Sequence, residues 1–444
     1  MKNFLKSTVL AVGVIVAASA CNFGELLDVD DPDVATPGSL TGEDALPVLL
    51  AGAFGDFQLA YSGDNAGVTE GMVNLGGLLA DEFEIAESFP TRVPIDRRDI
   101  DNVNTTLNTA YSYVHRARAA AELSARRHQE FAPNSEGHAL SLAIAAYSYI
   151  LLGENFCSGV PVSTLTDAGG TEFGPPLSTE QLFTEAIERF DAAIAAATTA
   201  IEEDDADSTA LYLATVGKAR ALLNLDRPAD AAAVAALVPS GFVFEIEHSD
   251  NTARQENGVF AYVNIQGRWS VADSEGGEGL PYRSAGDPRI SFELDPDDGV
   301  GFDGVTPMFH QLKYPEREVD VVLASGTEAR LIQAEAQLAA GNTTGWLNTL
   351  NALRTPAMGA LTDPGTPAGR VDLMFRERAF WLWLTAHRLG DMRRLVRQYD
   401  RTASSVFPTG PYSQGGNYGD DVSLPIPFEE LNNPLAEECD ASVP

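Results

Sequence analysis

The side chains that could carry catalysis are spread through this sequence without the usual catalytic spacings. Its 444 residues include 64 acidic side chains, six histidines and three cysteines. No HExxH pair, GxSxG elbow, glycine-rich phosphate loop or CxxC pair occurs among them, so the reactions built on those motifs have no support here. A glycosidase needs only two carboxylates. Because 64 acids can supply such a pair, a surface glycoside hydrolase or esterase remains an alternative function.

Two polar segments resemble reactive sites but fit a structural role better. His387, Arg388 and Asp391 lie in AHRLGDMRRL, where an arginine-rich helix favours ion pairing and helix capping over acid-base chemistry. The acidic segment LDPDDGVGFDG resembles a calcium loop, but its glycine is misplaced for an EF-hand and no glutamate closes it. We therefore predict no catalytic residue, metal or cofactor.

Aromatic and charged residues on two loops are the best candidates for ligand contact, because amphipathic ligands such as sugars stack on aromatic faces while polar neighbours orient them. The loops are DEFEIAESFPTRVPIDRRD and GRWSVADSEGGEGLPYRS. The candidate ligand-binding residues are Phe89, Arg92, Asp96, Arg97, Trp269, Tyr282 and Arg283. The alternative is that these aromatics only pin long loops to the helices.

The N-terminal segment is typical of an exported protein. Lys2 and Lys6 precede an apolar run from Val9 to Ala18, which is shorter than the about 20 residues of a permanent membrane span. Small residues then lead to Cys21, as in the cleavage site of a bacterial lipoprotein. The sequence therefore predicts a signal peptide over residues 1–20.

Cys21 is then the residue that we expect to be lipidated. Two or three acyl chains would hold the protein on a membrane, whereas one chain binds only marginally. The acidic residues 21–40 are interpreted as a tether, and residues 41–444 as a single domain.

The two remaining cysteines, Cys157 and Cys439, invite a disulfide, since an exported chain with an even number of cysteines favours pairing. The alternative makes Cys157, in NFCSG, a nucleophile, but no base is found beside it in the sequence. The disulfide is the favoured interpretation.

The charge of the chain excludes one class of partner. A formal net charge of -35, from 29 basic and 64 acidic residues, opposes binding to a phosphate backbone. We therefore expect no nucleic-acid partner.

Helical periodicity dominates the remaining sequence. One long helix is predicted from Asn104 to Phe131, followed by an antiparallel partner ending near Gly153. Ser178 and Gln181 have capping-box spacing at the start of the next pair. Together these patterns predict a mainly α fold of tetratricopeptide-like helical hairpins, although no strict 34-residue repeat is present.

Two later regions differ from these hairpins. Residues from about 241 to 320 alternate like short strands and are rich in loops, and they are interpreted as a loop-rich insert. From Arg370 to about Tyr399 the pattern predicts one strong helix whose centre, AFWLWLTA, is buried on several sides.

The segments LLDVDDPD after Cys21, LLADEFEIAESFPTR, RERAFWLWLTAHRLGDMRRL and LPIPFEELNNP together resemble the RagB/SusD family of nutrient-uptake outer-membrane lipoproteins. This resemblance implies a SusD-like α superhelix and a surface-exposed receptor. It also implies that the protein captures oligosaccharide or peptide and closes a SusC-like, TonB-dependent outer-membrane barrel. Enzymatic activity is not expected.

One departure bears on the ligand. The chain has four tryptophans, two of which, Trp381 and Trp383, lie in the predicted buried helix, so a wide aromatic arc for helical starch is not expected. A helical-repeat scaffolding lipoprotein without a small ligand remains a further alternative.

Overall fold

The computed structural model describes residues 42–165, 171–203 and 206–444. The chain divides into two compact units, Met1–Ala45 and Leu46–Pro444. In the first unit the described residues form a 3-10 turn, Glu43–Ala45. The predicted signal peptide, Cys21 and the tether over residues 21–40 lie outside the described residues.

The second unit is built mainly from helices, which confirms the predicted fold class. Its α-helices are α1 (Leu46–Ser62), α2 (Met72–Leu79), α3 (Val93–Asp96), α4 (Thr105–Phe131), α5 (Glu136–Asn155), α6 (Thr179–Glu202), α7 (Thr209–Asn224), α8 (Pro228–Ala235), α9 (Gly258–Phe260), α10 (Gly326–Ala339), α11 (Thr343–Leu353), α12 (Pro367–Trp381) and α13 (Arg388–Gln398). Neighbours in the chain pack against each other as hairpins, with α4 on α5, α6 on α7 and α10 on α11. Among the described residues, no helix combines the length and apolar character that a membrane span would need.

Capping side chains define where the hairpin helices begin. The Ser178 hydroxyl accepts a hydrogen bond from the Gln181 amide at 3.2 Å, and the Gln181 side chain accepts one from the Ser178 amide at 2.8 Å. This is the predicted capping box of α6. Asn104 caps α4 by accepting from the Leu107 amide at 3.2 Å. Both caps satisfy amides that have no partner inside the helix.

Small residues let the paired helices approach closely. A Cβ atom at Gly217 of α7 would lie 2.2 Å from Cζ of Phe190 on α6, so any larger residue would have to displace the Phe190 ring. The Phe190 ring in turn meets Tyr147 of α5 edge-on, with centroids 5.1 Å apart. The hairpins therefore share one continuous apolar core.

Short strands form five separate two-stranded antiparallel ladders among the described residues. The strands are β1 (Phe83–Ile85), β2 (Val160–Pro161), β3 (Thr164–Leu165), β4 (Thr171–Glu172), β5 (Pro176–Leu177), β6 (Val243–Ile246), β7 (Trp269–Val271), β8 (Phe292–Leu294), β9 (Phe309–Gln311) and β10 (Val321–Ser325). The pairs are β1 with β7, β2 with β5, β3 with β4, β6 with β10 and β8 with β9. β6, β7, β8 and β9 fall where the sequence alternates.

The prediction of a single helix from Arg370 to Tyr399 is wrong. α12 ends at Trp381 and α13 begins at Arg388. Between them, Leu384 and Ala386 both have a φ of 54°, a left-handed conformation that costs energy for a residue with a Cβ atom. We call residues 382–387 the central turn.

Side chains from distant parts of the chain replace the helical hydrogen bonds of the central turn. The Leu384 amide donates to Glu82 at 2.9 Å, and the Leu384 carbonyl accepts from the Tyr314 hydroxyl at 3.0 Å. Three further carbonyls are bonded in the same way: Trp383 to Lys313, Thr385 to Tyr61, and Ala386 to Arg220. Because these bonds satisfy a buried backbone, the break in the helix is stable.

Buried ion pairs follow the central turn into α13, as the sequence predicts for this segment. Arg388 binds Asp81 with distances of 2.6 and 2.7 Å, and Asp391 binds Arg378 at 2.7 and 2.9 Å. The imidazole Nε2 of His387 lies 3.0 Å from Glu328. These side chains have structural partners, so they are not an acid-base group open to substrate.

A disulfide joins Cys157, just after α5, to Cys439 near the C-terminus. The two Cα atoms are 6.0 Å apart and 282 residues apart in sequence. The C-terminal segment also bonds to this part of the chain through its backbone, since the Cys157 amide donates to the Leu424 carbonyl at 2.9 Å. The Cys157 sulfur is thus bonded and fully buried, which leaves no free thiol for the alternative nucleophilic role.

We predict that breaking this disulfide lowers the free energy of unfolding. The chain-entropy treatment gives an upper limit of roughly 5 kcal/mol for so long a loop. The measurement is the urea midpoint of the wild type with and without reductant, with the Cys157→Ala/Cys439→Ala protein as control. We expect the reductant to lower the wild-type midpoint and to leave the control unchanged. Equal wild-type midpoints under both conditions would contradict the prediction.

Candidate functional site

The pairing of β1 with β7 brings the two candidate loops together. Ile85 faces Trp269 in the antiparallel register, and the Ala86 amide donates to the Arg268 carbonyl at 2.8 Å. Residues after β1 and before β7 therefore share one edge of the molecule, although about 180 positions separate them in the chain.

Two exposed phenylalanine rings and two largely buried guanidinium groups lie side by side at this edge. We call Phe89, Arg92, Arg268 and Phe302 the aromatic-arginine surface. Phe89 and Phe302 are 47% and 61% exposed. The Arg268 guanidinium lies 3.8 Å from the Phe302 centroid and 5.9 Å from that of Phe89, while Arg92 lies 4.9 Å from Phe89. All three contacts fall within the range of cation-π attraction.

Two buried carboxylates, those of Glu70 and Glu87, hold Arg92 and Arg268 in place through ion pairs. The fully buried Glu87 accepts from Arg268 at 3.0 Å and from Arg92 at 3.3 Å. Arg92 also donates to Glu70 at 2.7 Å. Burial raises the pKa of Glu87, while Arg92 and Arg268 oppose that rise. Two carboxylates thus balance two guanidinium groups, and the surface carries no excess positive charge.

Amide side chains and backbone bonds hold the rest of this edge. The Gln414 side-chain amide donates to the Glu87 carbonyl at 2.8 Å. Gln266 accepts weakly from Arg268 at 3.4 Å and donates to Asn65 at 3.1 Å. The Phe302 amide donates to the Gly267 carbonyl at 2.8 Å, so Phe302 is held beside Arg268 through its own backbone.

A cleft of about 520 Å³ opens beside Phe302. Its walls include four carboxylate side chains, of Glu293, Asp295, Asp297 and Asp298, together with Gln266 and Asn264. This volume is within the usual size of a small-molecule site. The exposed rings, the amides and the cleft together can hold a ligand with an apolar face and hydroxyl groups.

A larger groove of about 640 Å³ lies between α1 and β6. Its rings, Phe54 and Phe244, are half-buried against each other with centroids 6.3 Å apart. Because Phe89 and Phe302 are more exposed than these two rings, the aromatic-arginine surface is the better candidate.

The sequence expectation of exposed loop aromatics fails for Trp269 and Tyr282. Trp269 is fully buried and stacks on Tyr262 at 4.7 Å, and Tyr282 is fully buried and stacks on Phe380 at 5.4 Å. Both rings pin loops to the core. Asp96 is also buried, with its carboxylate accepting from the Tyr412 hydroxyl at 2.6 Å. In this conformation none of the three can touch a ligand in solvent.

The other predicted residues divide between this surface and its surroundings. Phe89 and Arg92 belong to the aromatic-arginine surface. Arg97 pairs with Asp99 at 2.7 Å. Arg283 lies 3.8 Å from the Phe309 centroid and 3.4 Å from Glu84, and it does not contact the four residues of the surface in the structure.

Sequence reasoning missed Arg268, Phe302, Glu87 and Gln414. Phe302 lies in the acidic segment that resembles a calcium loop. An aromatic residue among so many carboxylates was the one sequence feature that could have marked it as a ligand contact. Arg268 directly precedes Trp269, which the sequence wrongly indicated as the exposed residue of this loop. In the described part of the chain, no group of three or more His, Cys, Asp or Glu side chains is arranged to hold a metal ion.

Comparisons with known proteins identify the fold. No protein-family model and no curated protein matches the chain. A SusD superfamily protein from Parabacteroides distasonis has a TM-score of 0.67 at 14% identity, covering 89% of this chain and 98% of its own. A SusD superfamily protein from Bacteroides vulgatus has a TM-score of 0.64 at 16% identity, covering 90% and 99%.

A third solved structure, surface glycan-binding protein A from Bacteroides uniformis, has a TM-score of 0.64 at 14% identity and covers 90% of this chain and 99% of its own. The similarity extends over most of the chain in each case, whereas sequence identity is low. It is therefore a similarity of architecture, and the protein has the SusD-like fold.

Proposed function

We propose that the protein is a non-enzymatic carbohydrate-binding protein of the cell surface. The observation that carries this proposal is the aromatic-arginine surface, where two exposed phenylalanine rings flank a guanidinium plane. Apolar faces of sugar rings stack on such planes, and neighbouring amides can bond their hydroxyl groups. The SusD-like fold supports the proposal, since one of the similar structures is a surface glycan-binding protein.

One set of neighbouring carboxyl groups, Asp96 and Glu275, is not placed for glycoside hydrolysis. These two residues are only 1% and 8% exposed. Tyr412 and Tyr418 donate to them at 2.6 and 2.9 Å. A catalytic pair must reach the glycosidic bond, and this pair is closed off from solvent.

Charge narrows the class of ligand to neutral glycans. Arg92 and Arg268 are already neutralised by Glu70 and Glu87, so they offer no uncompensated positive charge. The cleft beside Phe302 adds four carboxylates, and the whole chain has a net charge of -35. A uronic-acid or sulfated polymer would be repelled by this field.

We predict that neutral polysaccharides bind and acidic ones do not. Affinity electrophoresis at low salt would compare amylose, xylan and mannan with polygalacturonate and chondroitin sulfate. At least one neutral polymer should retard the protein, and neither acidic polymer should. Preferential binding of an acidic polymer would overturn the assignment of ligand class.

We also predict that removing either exposed ring weakens binding. Phe302→Ala and Phe89→Ala should each reduce affinity for the neutral polymer on the order of tenfold, equivalent to about 1.4 kcal/mol. The measurement is isothermal titration calorimetry with the polymer that binds best. Phe428→Ala is the matched control, because Phe428 is similarly exposed, at 52%, but lies outside this surface. A control that loses as much affinity as Phe302→Ala would contradict this binding site.

The cellular role follows from the N-terminal segment and the family resemblance together. We propose that Cys21 is lipidated, that the lipid anchors the protein to the outer membrane facing the exterior, and that residues 41–444 act as one domain. In this role the protein binds an oligosaccharide and delivers it to a SusC-like TonB-dependent barrel. A peptide is the alternative to an oligosaccharide as the ligand, as the family resemblance also implies.

Copurification tests that role. The protein, tagged after Pro444, would be extracted from its native membrane in mild detergent, and its companions identified by mass spectrometry. We expect a near-stoichiometric TonB-dependent barrel in the wild type and loss of the protein from the membrane fraction in Cys21→Ser. Recovery of the protein alone, also after crosslinking, would contradict delivery to a barrel and favour an independent enzyme or scaffold.

A further inference from the structure

Strand β6 has one edge that no other strand covers in the described part of the chain. It pairs with β10 alone, in a two-stranded antiparallel ladder. An uncovered edge presents a row of backbone amides and carbonyls to which a further strand can bond. The aromatic-arginine surface does not include β6, so the proposed carbohydrate binding leaves this edge without a role.

Two hydrogen bonds show which backbone groups of β6 face outward. The Gly326 amide donates to the Phe242 carbonyl at 2.8 Å, and the His248 amide donates to the Asp320 side chain at 2.8 Å. The backbone at both ends of β6 therefore points towards β10. Successive residues of a strand point their backbone groups to opposite sides, so the odd-numbered residues within 243–247 point theirs away from β10. Among the described residues, none of these outward groups has a hydrogen-bond partner.

The groove of about 640 Å³ between α1 and β6 runs along this outward edge. Every residue from Phe244 to Ser249 lines it. A groove over one face of a strand would mainly touch alternate side chains. The unbroken run of lining residues therefore places the groove beside the edge of the strand.

The opposite wall of the groove is one face of α1. Its lining residues follow a single helical stripe, with a spacing of three and four residues: Pro47, Leu50, Ala51, Phe54, Gly55 and Gln58. Pro47, Ala51 and Gly55 are exposed, and a Cβ atom at Gly55 would meet no heavy atom within 4 Å. The groove is thus open, with small apolar residues on one side and a strand edge on the other.

Acidic side chains belong to the strand side of this groove. Glu245 and Glu247 are exposed, and neither forms an ion pair in the part of the chain that the structure describes. Burial lowers the pKa of His248 to about 4, so at neutral pH its ring carries no positive charge that would offset them. Opposite charges on neighbouring strands stabilise their pairing. A strand with cationic side chains would therefore fit beside Glu245 and Glu247.

The same charges disfavour a second copy of this chain as the occupant. Pairing of two β6 edges would bring the acids of one copy against those of the other, and like charges opposite each other destabilise a ladder. Charged side chains on an edge strand are a common protection against such self-pairing. The edge therefore disfavours a second copy and favours a cationic partner.

We propose that the outer edge of β6 binds an extended peptide segment in which apolar and basic side chains alternate. About five of its residues would lie beside residues 243–247, since a strand advances about 3.3 Å per residue. Its apolar side chains would pack against Phe54 and Phe244, and its backbone would bond the outward groups of β6. Its basic side chains would pair with Glu245 and Glu247. This site shares no residue with the aromatic-arginine surface and does not depend on carbohydrate binding.

Titration of synthetic peptides tests this site. Fluorescein-labelled acetyl-KVKVKVK-amide would be titrated with the full chain and followed by fluorescence anisotropy, beside acetyl-EVEVEVE-amide as the acidic counterpart. We expect the basic peptide to bind about tenfold or more tightly than the acidic one, because only its side chains complement the two glutamates. Equal binding of the two peptides, or no binding of the basic one, would overturn the proposal.

A backbone-blocked peptide separates strand addition from simple charge attraction. In an antiparallel pair, the lysines opposite Glu245 and Glu247 would use their own amides to bond the edge. A KVKVKVK peptide with N-methyl groups on its lysine amides keeps its charge but loses these donors, so we expect about tenfold weaker binding. If it bound as tightly as the unmethylated peptide, pairing with β6 would be refuted.

Charge reversal on the protein locates the site. Glu245→Lys/Glu247→Lys should weaken binding of the basic peptide about tenfold or more and strengthen that of the acidic peptide. The matched control is Glu437→Lys/Glu438→Lys, which changes the net charge by the same amount at exposed positions near the C-terminus. Equal losses in the two variants would contradict the assignment to β6.

Hydrogen exchange then reports the backbone contact directly. The amides of Glu245 and Glu247 should exchange freely in the protein alone and become protected with the basic peptide, whereas the amide of Ile246, which faces β10, should be protected in both states. Unchanged exchange at Glu245 and Glu247 would contradict strand addition. A dimer of the free protein that dissociates as the peptide binds would make a second copy the occupant and overturn the assignment of the partner. No glycan enters these experiments, so a failure of carbohydrate binding leaves their outcome interpretable.

Discussion

The buried backbone of the central turn is the constraint on which the rest of the structure depends. Leu384 and Ala386 leave the helical conformation, so their peptide groups need partners from elsewhere, since an unpaired buried peptide group is costly. The partners come from α1, α7, the segment before β1 and the loop before β10. One of them, Glu82, directly precedes β1, and its neighbour Asp81 binds Arg388. The turn thereby fixes β1, and β1 fixes the position of Phe89 and Arg92.

The sequence predicts those structural features that depend on residues close together in the chain. Capping boxes, helical hairpins and the cysteine pairing need local periodicity or simple counting, and these expectations agree with the structure. No glycine or proline marks the break at Leu384, because its cause is a set of side chains that lie between 70 and 324 residues away in the chain. The same distance explains the aromatic residues. The burial of Trp269 and the exposure of Phe302 depend on strands that are far apart in the chain. A local sequence pattern therefore cannot predict either of them.

The aromatic-arginine surface is ordered before any ligand arrives. Arg92 and Arg268 each have a carboxylate partner, so their guanidinium planes are already held against the rings. A long flexible side chain that is ordered in advance loses less entropy on binding. The same carboxylates remove the charge that would otherwise recruit anions. The flat, amphipathic character of the surface therefore depends on two buried acids, Glu70 and Glu87.

The disulfide between Cys157 and Cys439 changes the topology of the chain as well as its stability. It closes a covalent ring that contains α6 to α13 and two residues of the aromatic-arginine surface, Arg268 and Phe302, whereas Phe89 and Arg92 lie outside the ring. A protease that cuts any loop inside this ring opens it without releasing a fragment. A singly nicked molecule would therefore remain in one covalent piece, with the part of the chain after the cut still attached through Cys439 to Cys157.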